Sequence, residues 1–161
     1  MRLEVDDIFK LLSDIPDPEI PVLNIVELGI VRSVSILEGQ YHIKITPTYS
    51  GCPATEYIDK EIRKKLDENE LDYILEKQLS PAWTTDWITV EARQKLQDYG
   101  IAPPEQISAD KSLLTGDPKH VTCPRCKSKK TKLLSEFGST PCKSLFTCQD
   151  CLETFDYFKC I

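Results

Sequence analysis

The chain is poor in histidine and methionine, with two of the first and one of the second among 161 residues. A Ser-His-Asp set would have to use His42 or His120, and neither lies in a supporting pattern. No Glu-x-x-His pair is present, which excludes a di-iron carboxylate centre of that type. There is no phosphate loop and no dinucleotide fingerprint. Nothing in the sequence points to an independent enzyme. No apolar run reaches the about 18 residues that suggest a membrane helix, so no membrane span is expected. The acidic start Met1-Arg2-Leu3-Glu4-Val5-Asp6-Asp7 lacks the apolar stretch of a signal peptide. Internal repeats and low-complexity tracts are missing too. Cysteine, by contrast, is plentiful at seven residues. Without an export signal that points to a reducing cytoplasm and to metal or thiol chemistry, and away from disulfides.

Four of those cysteines set the frame. Cys123-Pro124-Arg125-Cys126 is followed, after twenty-one intervening residues, by Cys148-Gln149-Asp150-Cys151. Two Cys-x-x-Cys pairs so spaced can close a tetrahedral thiolate site on one metal ion. Zn²⁺ suits four thiolates, with bonds of about 2.3 Å, and rubredoxin-like iron uses the same four. The insert holds Leu133, Phe137, Leu145 and Phe146, too few apolar residues for a core. Metal binding would then supply much of the folding free energy. Strands are expected over Thr131–Phe137, Lys143–Thr147 and Phe155–Phe158, with a Gly138–Pro141 turn, which makes a zinc ribbon. Glycine, which tolerates positive φ, commonly follows such a pair. Here Lys127 and Leu152 stand in those places. Cys142 and Cys160 lie outside the pairs and are not expected among the primary ligands.

The net charge of −6 is unevenly spread. Residues 1–118 carry 12 Lys and Arg against 22 Asp and Glu, a net of −10; residues 119–161 carry 8 against 4, a net of +4. The shift supports a boundary near Gly116-Asp117-Pro118. A basic module of this kind could touch nucleic acid or an acidic protein face; Lys127, Lys129, Lys130 and Lys132 are read instead as a solvated face, because the rest of the chain would repel a phosphate backbone.

Ahead of the ribbon, Val5, Ile8, Phe9 and Leu12 form one helical stripe. That helix stops before Ile15-Pro16-Asp17-Pro18-Glu19-Ile20-Pro21, a stiff extended turn carrying Asp17 and Glu19. Ile30–Leu37 and Tyr41–Ile45, joined at Glu38-Gly39, alternate as an antiparallel hairpin, with His42 on the solvent side. Ala54, Ile58, Ile62 and Leu66 mark a helix from about Pro53 to Glu68. With Pro53 at its first position, Cys52 is expected at the N-cap. A thiol there meets unpaired N–H groups and the positive helix end, which lower its pKa. A buried inert thiol is the alternative. Leu71, Tyr73, Leu75 and Leu79 suggest a third strand. Ile88, Ala92, Leu96 and Tyr99 suggest a helix capped by Thr85 or Asp86 and closed at Gly100. Trp83 and Trp87 are expected to pack. The sum is an α+β class: an α-β-β-α-β-α domain over 1–102, a linker over 103–119 and a ribbon over 120–161.

Three stretches carry a resemblance. Asp17-Pro18-Glu19-Ile20-Pro21, Glu27-Leu28-Gly29-Ile30-Val31 and Thr46-Pro47-Thr48-Tyr49-Ser50-Gly51-Cys52-Pro53-Ala54 resemble the iron–sulfur-assembly domain of SufT and of cytosolic cluster-targeting factors. With Leu79–Trp87, Phe137-Gly138-Ser139-Thr140, Cys142-Lys143 and Phe155–Cys160, nearly the whole chain is similar to the PaaD family, accessory proteins of the phenylacetyl-CoA epoxidase system of aerobic phenylacetate degradation. The resemblance implies a non-catalytic maturation factor assisting iron–sulfur cluster assembly or delivery, above all for the reductase component. Cys52 matches the family's reactive cysteine, and Asp17 and Glu19 match its acidic turn. A structural zinc at Cys123, Cys126, Cys148 and Cys151 is implied, with iron or a cluster held transiently at Cys52. Epoxidase components are the implied partners in the cytoplasm, without nucleic acid or membrane, and a homodimer is compatible with it. The alternative is a stoichiometric subunit of the oxygenase docking through its ribbon.

Overall fold

The computed structural model describes residues 2–48, 51–104, 121–140 and 142–158. His120, Cys160, the boundary near Gly116 and nearly all of the expected linker lie outside the described residues. The chain forms two compact units, Met1–Thr89 and Val90–Ile161.

In the first unit the helical stripe folds as α1, Val5–Leu12, with Ile8 and Leu12 fully buried. The hairpin forms β1, Val31–Leu37, against β2, Gln40–Ile45, with a bulge at Arg32 where the apolar alternation breaks. Along β2 only Tyr41, Ile43 and Ile45 are buried, so His42 lies on the other face. Helix α2, Ala54–Glu68, buries Ala54, Ile58, Ile62 and Leu66. Burial of each large aliphatic side chain contributes about 1.5–3 kcal/mol, so this single stripe seats the helix. The third strand, β3, spans Tyr73–Lys77 and runs parallel to β2, from Tyr41 opposite Tyr73 to Ile45 opposite Lys77. Parallel pairing requires a long crossover, which α2 provides. The sheet order is β1-β2-β3.

The stretch after β3 differs from expectation. Thr84 accepts from the Asp86 N–H and caps a short 3₁₀ turn over Thr85–Trp87, so Ile88 packs outside any helix. Helix α3 starts later, at Val90, and ends at Tyr99. Ala92 and Leu96 are its buried residues, whereas Tyr99 is exposed.

Both α3 and the strand after it belong to the second unit, although the pattern of residues 90–102 grouped them with the first domain. Gly100, at φ +92°, turns the chain into β4, Ile101–Ala102, which pairs in parallel with β7, Thr154–Phe158. Between them in sequence come β5, Thr131–Ser135, and β6, Lys143–Cys148, giving a sheet ordered β4-β7-β6-β5. Two consecutive buried residues at Ile101 and Ala102 carry no readable period. Phe146 stacks on Phe155 and meets Tyr157 edge-on, and this cluster continues through Val121, Cys123 and Cys148. The apolar core and the cysteines are therefore one body. Among the described residues no helix is long and apolar enough to cross a membrane.

Candidate functional site

The ribbon's two knuckles repeat one backbone design. The Cys123 N–H donates to the Ser128 carbonyl and the Cys148 N–H to the Glu153 carbonyl, each at 2.8 Å and each five residues on. In both, the residue before the accepting carbonyl is left-handed: Lys127 at φ +64° and Leu152 at φ +63°. The sequence puts ordinary side chains where glycine is cheapest, and the fold takes the strained conformation regardless. Side chains stitch the knuckles together, Arg125 to Glu153, Ser128 to Asp150 and Lys130 to Asp150.

This framework gathers the Sγ atoms of Cys123, Cys126, Cys148 and Cys151 within 4.8 Å of one another. Cys123 and Cys151 are 3.7 Å apart, Cys126 and Cys148 3.5 Å. These distances far exceed a disulfide length of about 2.05 Å. They approach the about 3.8 Å edge of a sulfur tetrahedron whose metal–sulfur bonds are about 2.3 Å. The donor set therefore fits a four-thiolate metal. Cys123 and Cys148 are buried while Cys126 is exposed. The backbone N–H groups of Cys151 and Asp150, with the neighbouring Cys126 and Cys151 thiols, face the Cys148 sulfur and lower that thiol's pKa to about 7. An amide so placed stabilises a thiolate, the form a metal binds. Cys142 is buried elsewhere, its sulfur 3.0 Å from the Thr140 hydroxyl, and is no member of this group.

The second candidate lies in the first unit. Asp17 is 7% exposed and its carboxylate Oδ1 accepts the N–H groups of Glu19 and Ile20, both at 2.8 Å. Pro16 and Pro18 flank Asp17 and stiffen the chain, and the carboxylate caps the turn that follows. Gly51, at φ +83° with open space beside it, leads to Cys52. Its glycine character answers the backbone angle and not crowding. Cys52 stands one residue earlier than expected: Pro53 is the N-cap and α2 begins at Ala54. The proline ring holds φ at −61°, already helical, and the Thr55 N–H bonds the Cys52 carbonyl at 3.0 Å, so the first turn starts on Cys52. Cys52, 7% exposed, lines an apolar recess with Asp17, Ile30, Ile45, Pro47 and Ile58. Asp17 and Cys52, thirty-five residues apart in sequence, thus both line one recess. Glu19 contributes its backbone to the turn and is not among the recess residues described.

Two features have no counterpart in the sequence patterns. The Thr46 hydroxyl, next to the recess residues Ile45 and Pro47, is buried without a hydrogen-bond partner among the described residues. Gly29, at φ +74°, lies so close to Trp87 that an added Cβ would stand 2.6 Å from its carbonyl. The Arg32 guanidinium covers the Trp87 ring at 3.5 Å, and the Trp83 indole donates to the Leu28 carbonyl at 2.8 Å. The tryptophan loop is thereby tied to the turn that leads into β1. A glycine in one stretch and tryptophans in the other are the only sequence hints of that pairing.

Both halves have known likenesses. Residues 5–71 match the family model described as iron–sulfur cluster assembly protein, and residues 107–159 the model described as PaaD zinc beta ribbon domain. A relative from Escherichia coli, named as a subunit of a "Putative 1,2-phenylacetyl-CoA epoxidase", is 52% identical over 159 residues, covering 98% of this chain and 94% of that protein. An "Fe-S protein maturation auxiliary factor" of Porphyromonas gingivalis is 30% identical over 94 residues, 56% of this chain and 89% of that one. Among solved structures, a domain of unknown function from Bacillus anthracis superposes with a TM-score of 0.53 at 26% identity, covering 57% of this chain and 90% of its own.

Proposed function

The chain belongs to the PaaD family, and from that premise we propose that it is a non-catalytic accessory factor of the phenylacetyl-CoA epoxidase system. It assists iron–sulfur cluster assembly or delivery to the reductase component, in the cytoplasm. The observation that carries this reading is that Cys52 and Asp17 line one recess of an iron–sulfur-assembly fold. A thiol and a carboxylate are both iron ligands. The aliphatic lining limits water around an ion or cluster edge held there for transfer. Cys52 is the working residue, and Asp17 and Glu19 shape the acidic turn beside it. The ribbon cysteines, Cys123, Cys126, Cys148 and Cys151, hold a structural zinc, the metal best matched to a closed tetrahedral thiolate set.

A second reading has its own support, since the relative from Escherichia coli is named as a subunit. In that reading the chain stays in the oxygenase and docks through its ribbon. Expression of the epoxidase components with and without this chain separates the two. Maturation predicts a reductase short of iron and sulfide when the chain is omitted, and a mature enzyme that no longer retains it. Full iron and sulfide in its absence, with the chain co-purifying at fixed stoichiometry, would establish the subunit reading instead.

A further inference from the structure

We infer that the β5 face of the ribbon, from Lys129 to Phe137, is a docking surface for an acidic protein partner. Strand β5 is the outer strand of its sheet among the described residues, and four of its five residues are exposed. Exposed apolar side chains concentrate there: Leu133 at 43%, Leu134 at 52% and, just beyond the strand, Phe137 at 63%. Leu133 pairs with Phe146, so the apolar face of the core runs out to the surface at this point. Exposed apolar side chains gathered in one stretch and rimmed by polar groups are a mark of an interaction site. Its rim is mainly basic: Lys129 and Lys132 are exposed, Lys130 is exposed and paired with Asp150, and Glu136 is the one acid in the stretch.

The charge selects the occupant. A second copy added edge to edge would set these lysines against their own kind. The bulge at Leu134 also breaks the register that a paired strand needs. Lysines and bulges are devices that keep exposed edges from self-pairing. An acidic surface with apolar contacts satisfies both the rim and the three apolar side chains. RNA would satisfy the lysines and leave the leucines wet. The inference rests on the chain acting on a partner protein, as both readings above require, and it does not involve Cys52.

The probe is a short capped peptide alternating leucine with glutamate, titrated into the zinc-loaded full chain and followed by amide chemical shifts. Shifts confined to residues 129–137 are expected. Binding should weaken at least several-fold with added salt, in the Lys129→Glu, Lys132→Glu variant and, separately, in the Leu134→Ser variant. Each variant must keep its metal content and its remaining spectrum. The same peptide with lysine for glutamate should not bind. Absence of shifts, shifts elsewhere on the chain, equal binding of the lysine peptide, tighter binding of oligouridylate, or self-association through this face would each overturn the inference. Because Cys52 is untouched, reductase cluster content separates failure here from failure of the maturation reading.

Discussion

Strain at single residues is the sharpest consequence of the ribbon geometry. Lys127 and Leu152 both hold left-handed backbone. For a residue with a Cβ that conformation costs roughly 1–2 kcal/mol. Glycine removes the cost but loses about 0.5–1 kcal/mol more conformational entropy on folding. The first effect is the larger, so Leu152→Gly should stabilise the metal-loaded ribbon by about 1 kcal/mol, read as a higher denaturation midpoint. Lys127→Gly should gain less, because the Lys127 ammonium donates to the Pro124 carbonyl at 2.9 Å and that contact is lost. Gly29 is the converse case. Its φ is +74°, and the Trp87 carbonyl lies 2.6 Å from where a Cβ would stand, which leaves no room for a methyl group. Gly29→Ala should destabilise the first unit by about 3 kcal/mol, combining overpacking and backbone strain. A midpoint unchanged in urea would contradict this account of the turn.

At the scale of elements, the metal and the sheet are interdependent. Thr131 is opposite Cys148 in the β5–β6 pairing, and Cys123 and Cys148 sit in the same buried cluster as Phe146 and Phe155. Chelation should therefore abolish amide-exchange protection throughout β5, β6 and β7, because a four-thiolate module draws its stability from the ion. Helix α2 and the β1-β2-β3 sheet have their own aliphatic core, Ile43, Ile45, Ile62 and Leu66 among it. Their protection should survive. Loss of protection in α2 on chelation would show that the first unit is not independent. Cys142→Ser should keep the metal, since that sulfur bonds Thr140 and not the cluster.

For the whole molecule, legibility followed the range of the interactions. The four-cysteine frame, the α2 stripe and the β1–β2 alternation are short-range patterns, and the residues named them. The third strand was visible at Tyr73 and Leu75, but its parallel pairing with β2 is a tertiary choice. Ile101 and Ala102 join β7 across more than fifty residues, which no local period reports. Cys52 fell one residue off the cap because proline enters helical φ before the regular helix begins. That Asp17 and Cys52 line one recess was not legible in the sequence, since a buried carboxylate capping its own turn looks like ordinary turn chemistry there.

The proposed reading divides the labour: Cys52 works on the cluster and the ribbon cysteines hold a structural metal. Cys52→Ala tests that division most directly, in cells making the epoxidase components alongside this chain, with iron and sulfide measured in the purified reductase. The variant should fold normally and keep its full ribbon metal, because neither depends on that sulfur, while the reductase lacks its cluster. A reductase fully loaded with iron and sulfide beside the Cys52→Ala protein would contradict it.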